Sequence, residues 1–335
     1  MGCFLNKPLD YEELEGDPEE ILKSLDGKKW IFENIVIEGG SSNGTVAIGA
    51  YKALSETGVL SGLKNFAGSS SGALMASLMA AKIPWEVIEK TFMSLDFNDF
   101  KDDSFGIIRD IKRFFTEFGY YNGDYMEKWI NDFLYEQTGI SCMTFADLYQ
   151  YNGSLLYITV CNLDKLEVQY RCMDETPHMQ ISKAVRESTS IPFIFKAPEN
   201  KDGEIMVDGG FGNNYPLQIF DNTHFMKNSF NIKTIGLKLM DKKQERPTSI
   251  IQNDLGFKIK NIADFAFALQ TFQSLQIERS QINHGYWERT IILDSPGRNI
   301  SDFDISQDEK NRDINTGRLN TLNALLKWSN VGYFN

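Results

Sequence analysis

Hydrophobic and polar positions follow two different periods along the first third of the chain. Apolar runs of strand length occupy residues 30–37 and 63–67, and each is followed by a loop rich in glycine and serine. Behind each loop the apolar positions recur at helical spacing, in residues 45–57 and 71–82. Two successive strand–loop–helix units predict a parallel sheet with helices packed on its faces.

The same two periods predict the elements of the remaining chain. Apolar runs predict strands at 155–161, 166–171, 204–207, 234–239 and 290–293, and helical spacing predicts helices at 181–187, 257–282 and 308–328. In the helix 257–282, one face carries Ile262, Phe265, Leu269, Phe272 and Leu275. Without an internal repeat or a low-complexity linker, the pattern favours one domain, residues 30–328, behind an acidic extension, residues 1–29.

Aromatic side chains are concentrated in residues 92–133, within a segment of mixed charge. One interpretation is a pair of amphipathic helices that pack on the core. The other is a cap that meets lipid, and the two are compatible.

The formal net charge of −12 limits the classes of partner. Nucleic-acid binding needs clustered Lys and Arg to neutralise phosphates, so no nucleic-acid partner is expected. Strong adsorption on an anionic membrane would need a segregated basic patch. The short cluster Lys242, Lys243 and Arg246 has acidic residues around it, and we interpret it as a solvated face.

The cysteines indicate neither a disulfide framework nor a metal site. Cys3, Cys142, Cys161 and Cys172 are widely spaced, without a CxxC pair or a zinc pattern. Reduced thiols, no bound metal and a cytoplasmic location are therefore expected.

Membrane contact is expected to be peripheral. No signal peptide or transmembrane helix is predicted, because the longest apolar run, residues 73–81, is too short to span a bilayer. The chain starts Met-Gly-Cys, but Asn6 replaces the Ser or Thr of a myristoylation signal, which favours an ordinary N-terminus over acylation at Gly2 and Cys3.

The stretch Gly68-Ser69-Ser70-Ser71-Gly72 matches the pattern G-x-S-x-G. The pattern indicates a nucleophile where it joins a strand to a helix, since the sharp turn then exposes the hydroxyl of the middle serine. The predicted strand 63–67 and helix 71–82 supply that context, and Ser70 becomes a candidate nucleophile between Gly68 and Gly72. The alternative is a small polar turn, and Ser69 and Ser71 are interpreted as fillers of it.

A nucleophilic serine needs a base. The three histidines, His178, His224 and His284, lack the sequence context of a triad histidine and are interpreted as surface or loop residues. Asp208 ends a predicted strand and precedes Gly209 and Gly210, which makes it the candidate base. Asp-Gly-Gly is also a common turn, so the aspartate alone decides little.

Residues 38–44, EGGSSNG, connect the first strand to the first helix. Their glycine amides are candidate donors to an oxyanion. A phosphate-binding loop would need a Gly-Lys-Ser/Thr ending, and a dinucleotide fingerprint would need G-x-G-x-x-G; neither is present.

Taken in order, EGGSSNG, GSSSG, AVRESTSIPFIFKAP and VDGGFGNNYP resemble the patatin-like phospholipase family over roughly residues 30–320. The resemblance implies a three-layer α/β/α sandwich with a central, mostly parallel sheet. It implies a Ser-Asp dyad of Ser70 and Asp208, an oxyanion hole at Gly39, Gly40 and position 41, and no cofactor or catalytic metal. Family members hydrolyse acyl esters of phospholipids and related lipids.

Three positions depart from the family loop, which usually reads Asp-Gly-Gly-Gly-x-Arg/Lys-Gly. Glu38 replaces the aspartate, Ser41 the third glycine and Asn43 the basic residue. If position 41 requires a positive φ, serine is strained there by about 1 kcal/mol. Loss of the basic residue removes a positive charge that could hold a phosphate or the oxyanion.

The expected function is therefore hydrolysis of phospholipid or lysophospholipid esters at a membrane or micelle surface. A general carboxylesterase acting on soluble esters is one alternative. The other is a catalytically silent module that binds lipid or protein on the same fold, which the departures at Ser41 and Asn43 motivate.

Overall fold

A computed structural model gives the fold of residues 16–102, 116–221, 230–241, 259, 265, 268–273, 276–277, 285–298 and 303–331. Several residues of the sequence predictions lie outside these ranges: Gly2, Cys3, Asn6, His224, Lys242, Lys243, Arg246, Ile262, Leu275 and His284. Most of the predicted helix 257–282 lies outside them as well.

Nine strands lie in the described residues. They are β1 (Asn34–Ile37), β2 (Asn65–Ser69), β3 (Gly119–Tyr121), β4 (Leu155–Asn162), β5 (Glu167–Arg171), β6 (Phe193–Phe195), β7 (Met206–Asp208), β8 (Thr234–Asp241) and β9 (Thr290–Ser295). The central sheet has the order β5-β4-β2-β1-β8-β9, and β7 also pairs with β4. Strands β4, β2, β1, β8 and β9 are mutually parallel, whereas β5 and β7 run antiparallel to β4.

Helices precede, separate and follow the strands in the described residues. They are α1 (Pro18–Leu25), α2 (Val46–Glu56), α3 (Ser71–Ala80), α4 (Trp85–Ser94), α5 (Asp124–Thr138), α6 (Phe145–Asn152), α7 (Ile181–Ser188), α8 (Gly210–Asn213) and α9 (Gln307–Val331). Strands β3 and β6 form a separate parallel pair.

Both faces of the sheet are covered, as the alternation along β1 shows. Ile35 and Ile37 pack into the large core that includes the buried faces of α2, α3 and α9. Val36, between them, points to the other face and packs with Tyr215 and Tyr286. Successive strand residues face opposite sides, so a strand that is apolar throughout is buried on both. The predicted three-layer α/β/α sandwich with a mostly parallel sheet is confirmed.

The strands and helices predicted from the sequence are present within the described residues, with shifted ends. Strand β1 begins at Asn34 rather than at residue 30, because Trp30 leaves the sheet and its indole N–H donates to the carbonyl of Thr57 at 3.0 Å. Helices α1, α6 and α8, most of α4 and the pair β3–β6 were not predicted. Helix α1 lies in the proposed extension, yet its Ile21 and Leu25 join the main core; the boundary at residue 29 stays a prediction.

The aromatic segment divides into a buried and an exposed part. Phe92, Phe97 and Phe100 are buried and pack edge-on or tilted against one another and Trp129, which agrees with helices packed on the core. Phe118 is half exposed. No helix in the described part of the chain is both long and apolar enough to cross a membrane.

Part of the predicted helix 257–282 is described, and its apolar face is not buried. Residues 268–273 are helical. Leu269 is 46% exposed and Phe272 is 64% exposed, and Phe265 is exposed as well. The helical spacing was correct for this stretch, but these three side chains do not join the core.

Candidate active site

Strands β2 and β7 meet end to end along one side of β4. Strand β2 runs parallel to β4 and ends with Ser69 opposite Thr159. Strand β7 runs antiparallel to β4 and ends with Asp208 opposite the next residue, Val160. Their carboxyl ends therefore converge from opposite directions, and this topology brings Asp208 next to the residue that follows β2.

Ser70 is that residue, and its side chain contacts Asp208 directly. The Ser70 Oγ donates a hydrogen bond to Asp208 Oδ2 at 2.6 Å. Ser70 has φ 53° and ψ −128°, a strained conformation for a residue with a Cβ. Its amide N–H donates to Ser188 Oγ at 2.9 Å, and the Ser188 hydroxyl donates to the carbonyl of Thr159 at 2.7 Å. Helix α7 thus holds the strained turn against β4.

Asp208 is fully buried and has three hydrogen-bond donors. Besides the Ser70 hydroxyl, its Oδ1 accepts from the Gly210 amide at 2.7 Å and from Gln270 Nε2 at 3.2 Å. Burial raises the pKa of Asp208 to about 7, while the three hydrogen bonds act in the opposite direction. A carboxylate with a pKa near neutrality can both take and return a proton at physiological pH.

The four glycines of the two motifs all lie where a side chain does not fit. A Cβ built at any of them would come within 2.4 Å of another atom. The Cβ at Gly68 would meet the carbonyl of Gly72, and the Cβ at Gly72 would meet the carbonyl of Ile37. The Cβ at Gly209 would meet the carbonyl of Thr159, and the Cβ at Gly210 would meet Nε2 of Gln270. Three of these contacts are with backbone, which cannot move aside. The glycines allow the turn after β2, the start of α3 and the end of β7 to pack against one another.

Two of the predicted oxyanion donors, the amides of Gly39 and Gly40, already have protein acceptors. The Gly39 amide donates to the carbonyl of Asn214 at 3.3 Å, and Asn214 Nδ2 donates back to the carbonyl of Gly39 at 2.9 Å. The Gly40 amide donates to Ser71 Oγ at 2.9 Å. By contrast, the amide of Ser71, at the N-terminus of α3, has no acceptor among the described residues.

Ser71 is therefore more than a filler of the turn, contrary to the sequence interpretation. Its hydroxyl connects the turn that carries Ser70 to the loop 38–44. Ser69 does fit that interpretation, since it is fully buried and its hydroxyl has no partner in the described structure.

Ser41 has a φ of 50°, so position 41 does require the left-handed region. The residue begins a 3₁₀ helix, Ser41–Thr45, that leads directly into α2. A non-glycine residue pays roughly 1–2 kcal/mol in this region. The third glycine of the family loop is thus replaced at a real conformational cost.

The other two departures have partners that the sequence did not reveal. The Glu38 carboxylate forms an ion pair with Lys238 at 2.7 Å, and both side chains are buried. Asn43 pairs with the backbone of Arg298: its Nδ2 donates to the carbonyl at 3.0 Å, and its Oδ1 accepts from the amide at 2.9 Å. The Arg298 guanidinium is bound to Asp313 at 2.6 Å.

Sequence reasoning did not single out Ser188, Asn214, Lys238 or Gln270. Ser188 and Asn214 lie inside two of the quoted stretches, so those stretches contained the signal. Lys238 stands out as a lysine in the middle of a buried strand, which requires a counter-charge. Gln270 gave no signal, because it lies in a helix that was interpreted by its apolar face.

Nothing in the described structure indicates a metal. Among the described residues there is no group of three or more His, Cys, Asp or Glu that could hold an ion. His178 is exposed, and the other two histidines lie outside the described ranges.

The chain is similar to known proteins both in sequence and in fold. The chain is 28% identical over 283 residues to an uncharacterized protein of Acanthamoeba polyphaga mimivirus, covering 84% of this chain and 89% of that protein. It is 25% identical over 202 residues to "Probable lipid hydrolase 463L" of Invertebrate iridescent virus 6, covering 59% and 66%. The crystal structure of VipD from Legionella pneumophila has the same fold, with a TM-score of 0.56 and 17% identity, over 88% of this chain and 66% of VipD.

The family assignment rests on more than half of the chain. The family model described as "Patatin-like phospholipase" matches residues 35–221. This range starts in β1, includes the loop 38–44 and the turn at Ser70, and extends beyond Asp208. The chain therefore belongs to the patatin-like phospholipase family.

Proposed function

We propose that this protein is a lipid acyl hydrolase of the phospholipase A type, with Ser70 as nucleophile and Asp208 as base. The observation that carries the proposal is the 2.6 Å hydrogen bond from Ser70 Oγ to the buried carboxylate of Asp208. A short hydrogen bond between a hydroxyl and a carboxylate is the arrangement that nucleophile activation requires. Family membership supplies the reaction class.

In the first step Ser70 Oγ attacks the carbonyl carbon of the ester while Asp208 Oδ2 takes its proton. The tetrahedral intermediate collapses, the alcohol leaves with the proton from Asp208, and the acyl group remains on Ser70. In the second step Asp208 takes a proton from water, whose oxygen attacks the acyl carbon. Return of that proton to Ser70 releases the fatty acid and restores the enzyme.

The developing oxyanion needs amide donors beside Ser70. We assign the first to the Ser71 amide, which has no acceptor in the described structure and lies at the N-terminus of α3. The Gly40 amide becomes the second when it exchanges its hydrogen bond with Ser71 Oγ for one with the substrate. The Gly39 amide, with a longer hydrogen bond to Asn214, is a further donor. A single donor is worth roughly 3–4 kcal/mol in a transition state.

A lipid substrate is supported by the surface beside Asp208. Gln270 contacts Asp208, and Leu269 and Phe272 on the same helical stretch are exposed. Exposed apolar side chains next to a site suit an aggregated substrate, a phospholipid or lysophospholipid in a membrane or micelle. The relative from the iridescent virus, named a probable lipid hydrolase, supports the same class.

The test is fatty acid release from mixed micelles of phosphatidylcholine and from lysophosphatidylcholine, in the presence of chelator. Wild type, Ser70→Ala and Asp208→Asn are compared. Release by the wild type, with both variants reduced by at least a thousandfold, supports a metal-independent Ser-Asp hydrolase. Undiminished release by Ser70→Ala would refute the mechanism.

Two further measurements address the alternatives. A general carboxylesterase would hydrolyse monomeric short-chain esters as fast as micellar ones, whereas a lipid hydrolase gains rate above the critical micelle concentration. A catalytically silent module would not be labelled by a fluorophosphonate, which reacts with an activated serine.

A further inference from the structure

The helical stretch 268–273 has an inverted pattern of burial. Its apolar residues Leu269 and Phe272 are exposed, while Gln270, an amide, is only 7% exposed. Burying a polar side chain destabilises the fold unless the side chain is hydrogen-bonded, whereas burying an apolar side chain stabilises it. Burial of apolar side chains therefore does not explain the orientation of the described residues of this stretch, and a specific contact of Gln270 is the alternative.

That contact is with the carboxylate of Asp208. Gln270 Nε2 donates to Asp208 Oδ1 at 3.2 Å, on the oxygen that does not receive the Ser70 hydroxyl. The Gln270 Oε1 has no donor among the described residues, so the amide oxygen does not explain the position of the side chain.

Gly210 leaves the space that the Gln270 amide occupies. A Cβ at Gly210 would lie 2.2 Å from Gln270 Nε2 and 2.9 Å from Asp208 Oδ1. The amide of Gly210 donates to the same Oδ1 at 2.7 Å. One carboxylate oxygen thus receives a backbone donor and a side-chain donor, and the other oxygen is left to Ser70.

We propose that Gln270 is a positioning residue that fixes the Asp208 carboxylate and stabilises its charged form. The proposal rests on the function proposed above and extends it to a residue outside the matched family range, 35–221. With two donors on Oδ1, rotation of the carboxylate is opposed and Oδ2 stays directed at Ser70. A donor to the charged form also keeps the carboxylate ionised at a lower pH.

The surroundings of Asp208 make this effect measurable. The other described groups that hydrogen-bond to its side chain are neutral: the Ser70 hydroxyl and the Gly210 amide. Cys161 of β4 is uncharged as well, because burial raises the pKa of its thiol to about 12. On the side of α7, the Asp208 amide donates to the carbonyl of Ser190. The nearby acid of α7, Glu187, is paired with Arg171 at 2.7 Å. The ionisation of Asp208 is therefore controlled by burial and by its hydrogen bonds.

The experiment measures the pH dependence of two observables. The first is kcat/KM for fatty acid release between pH 5 and 9. The second is the titration of Asp208 by ¹³C NMR of carboxyl-labelled protein, assigned by the resonance that Asp208→Asn removes. Gln270→Met keeps the size of the side chain and removes the donor, Gln270→Glu adds a like charge, and Gln273→Met is the matched control on the exposed side of the same stretch.

In Gln270→Met, the acid limb and the NMR midpoint are expected to move about one unit to higher pH, since a hydrogen bond to a charged group is lost. Gln270→Glu moves them further, and Gln273→Met leaves both at the wild-type values. A folded Gln270→Met protein that titrates as the wild type does would overturn the proposal. If Gln270→Met does not fold, an unchanged midpoint in Gln270→Glu overturns it equally. A wild type that releases no fatty acid would defeat the proposed function, while the NMR midpoint still decides the role of Gln270.

Discussion

The carboxylate of Glu38 and the ammonium group of Lys238 form a buried ion pair, with 2.7 Å between Oε1 and Nζ. The second carboxylate oxygen accepts from the amide of Leu239 at 2.8 Å. Because β1 and β8 are parallel neighbours, the pair lies where β1 ends and the loop 38–44 begins. This contact anchors the start of the loop that also carries Gly39 and Gly40.

Lys238→Met should destabilise the protein strongly. It removes the positive partner and leaves the Glu38 carboxylate buried without a counter-charge. Removing one member of a buried ion pair costs about 3–5 kcal/mol. The free energy of unfolding, measured by urea denaturation at pH 7, should fall by that amount.

The control is Lys233→Met. Lys233 pairs with Glu33 at the same distance of 2.7 Å, but the two side chains are 49% and 40% exposed. An exposed ion pair contributes about 0–1 kcal/mol, so this variant should differ little from the wild type. Equal losses of free energy of unfolding in the two lysine variants would show that the buried Glu38–Lys238 pair contributes no more to stability than an exposed pair.

Restoring the basic residue of the family loop should not improve this protein. Asn43 is buried and makes two hydrogen bonds to the backbone of Arg298. In Asn43→Lys both are lost and a charge enters a site shaped for an amide. We expect a loss of about 2–3 kcal/mol in the free energy of unfolding and slower hydrolysis. Asn43→Ala is the control for the lost hydrogen bonds alone, and a more active Asn43→Lys would contradict this reading.

The fold and the central pair of the site were predictable because they depend on local patterns. Apolar runs defined most strands, and the strand-to-helix context distinguished Ser70 from its two neighbours. Asp208 could be chosen because it ends a strand before two glycines. The catalytic role of both residues stays a prediction, although the structure places them in contact.

What the sequence did not predict depends on contacts between distant segments. Gln270 reaches Asp208 across 62 positions and Lys238 reaches Glu38 across 200. No periodicity reports such pairs, because their partners are set by the packing of the sheet. The engagement of the Gly40 amide by Ser71 is likewise a feature of two turns that meet only in the folded chain.

Gly72→Ala should disrupt the packing of α3 against β1. A Cβ at Gly72 would lie 2.3 Å from the carbonyl oxygen of Ile37 and 2.6 Å from that of Glu38. Because both obstacles are backbone, we expect a loss of roughly 3 kcal/mol or more, or a failure to accumulate soluble protein. Thermal unfolding and soluble yield measure the effect.

The matched control is Gly139→Ala. Gly139 caps α5 with a φ of 74°, and a Cβ there would meet nothing within 4 Å. Only the conformational strain applies, about 1–2 kcal/mol. A smaller loss of stability in Gly72→Ala than in Gly139→Ala would contradict the close approach of α3 to β1.

The stability of the protein should depend on pH through Asp208. The pKa of this carboxyl is about 7 in the folded protein and has an ordinary value of 3.8. Below pH 3.8 both the folded and the unfolded chain hold the proton, and burial of the neutral acid carries no charge penalty. Between pH 3.8 and about 7, only the folded state keeps the proton. The contribution of Asp208 to the free energy of unfolding therefore falls as pH rises through this range, and this contribution becomes constant above about pH 7.

Asp208→Asn removes this dependence, because the amide does not ionise. Relative to the wild type, the variant should gain about 3 kcal/mol in the free energy of unfolding between pH 5 and pH 8. Urea denaturation at both pH values measures the gain. Ser70→Ala is the control: it keeps the buried carboxyl and loses a hydrogen bond to the charged form, so its stability should fall at least as steeply with pH as that of the wild type. The same pH dependence in the wild type and in Asp208→Asn would show that burial does not raise the pKa of Asp208 in the folded protein.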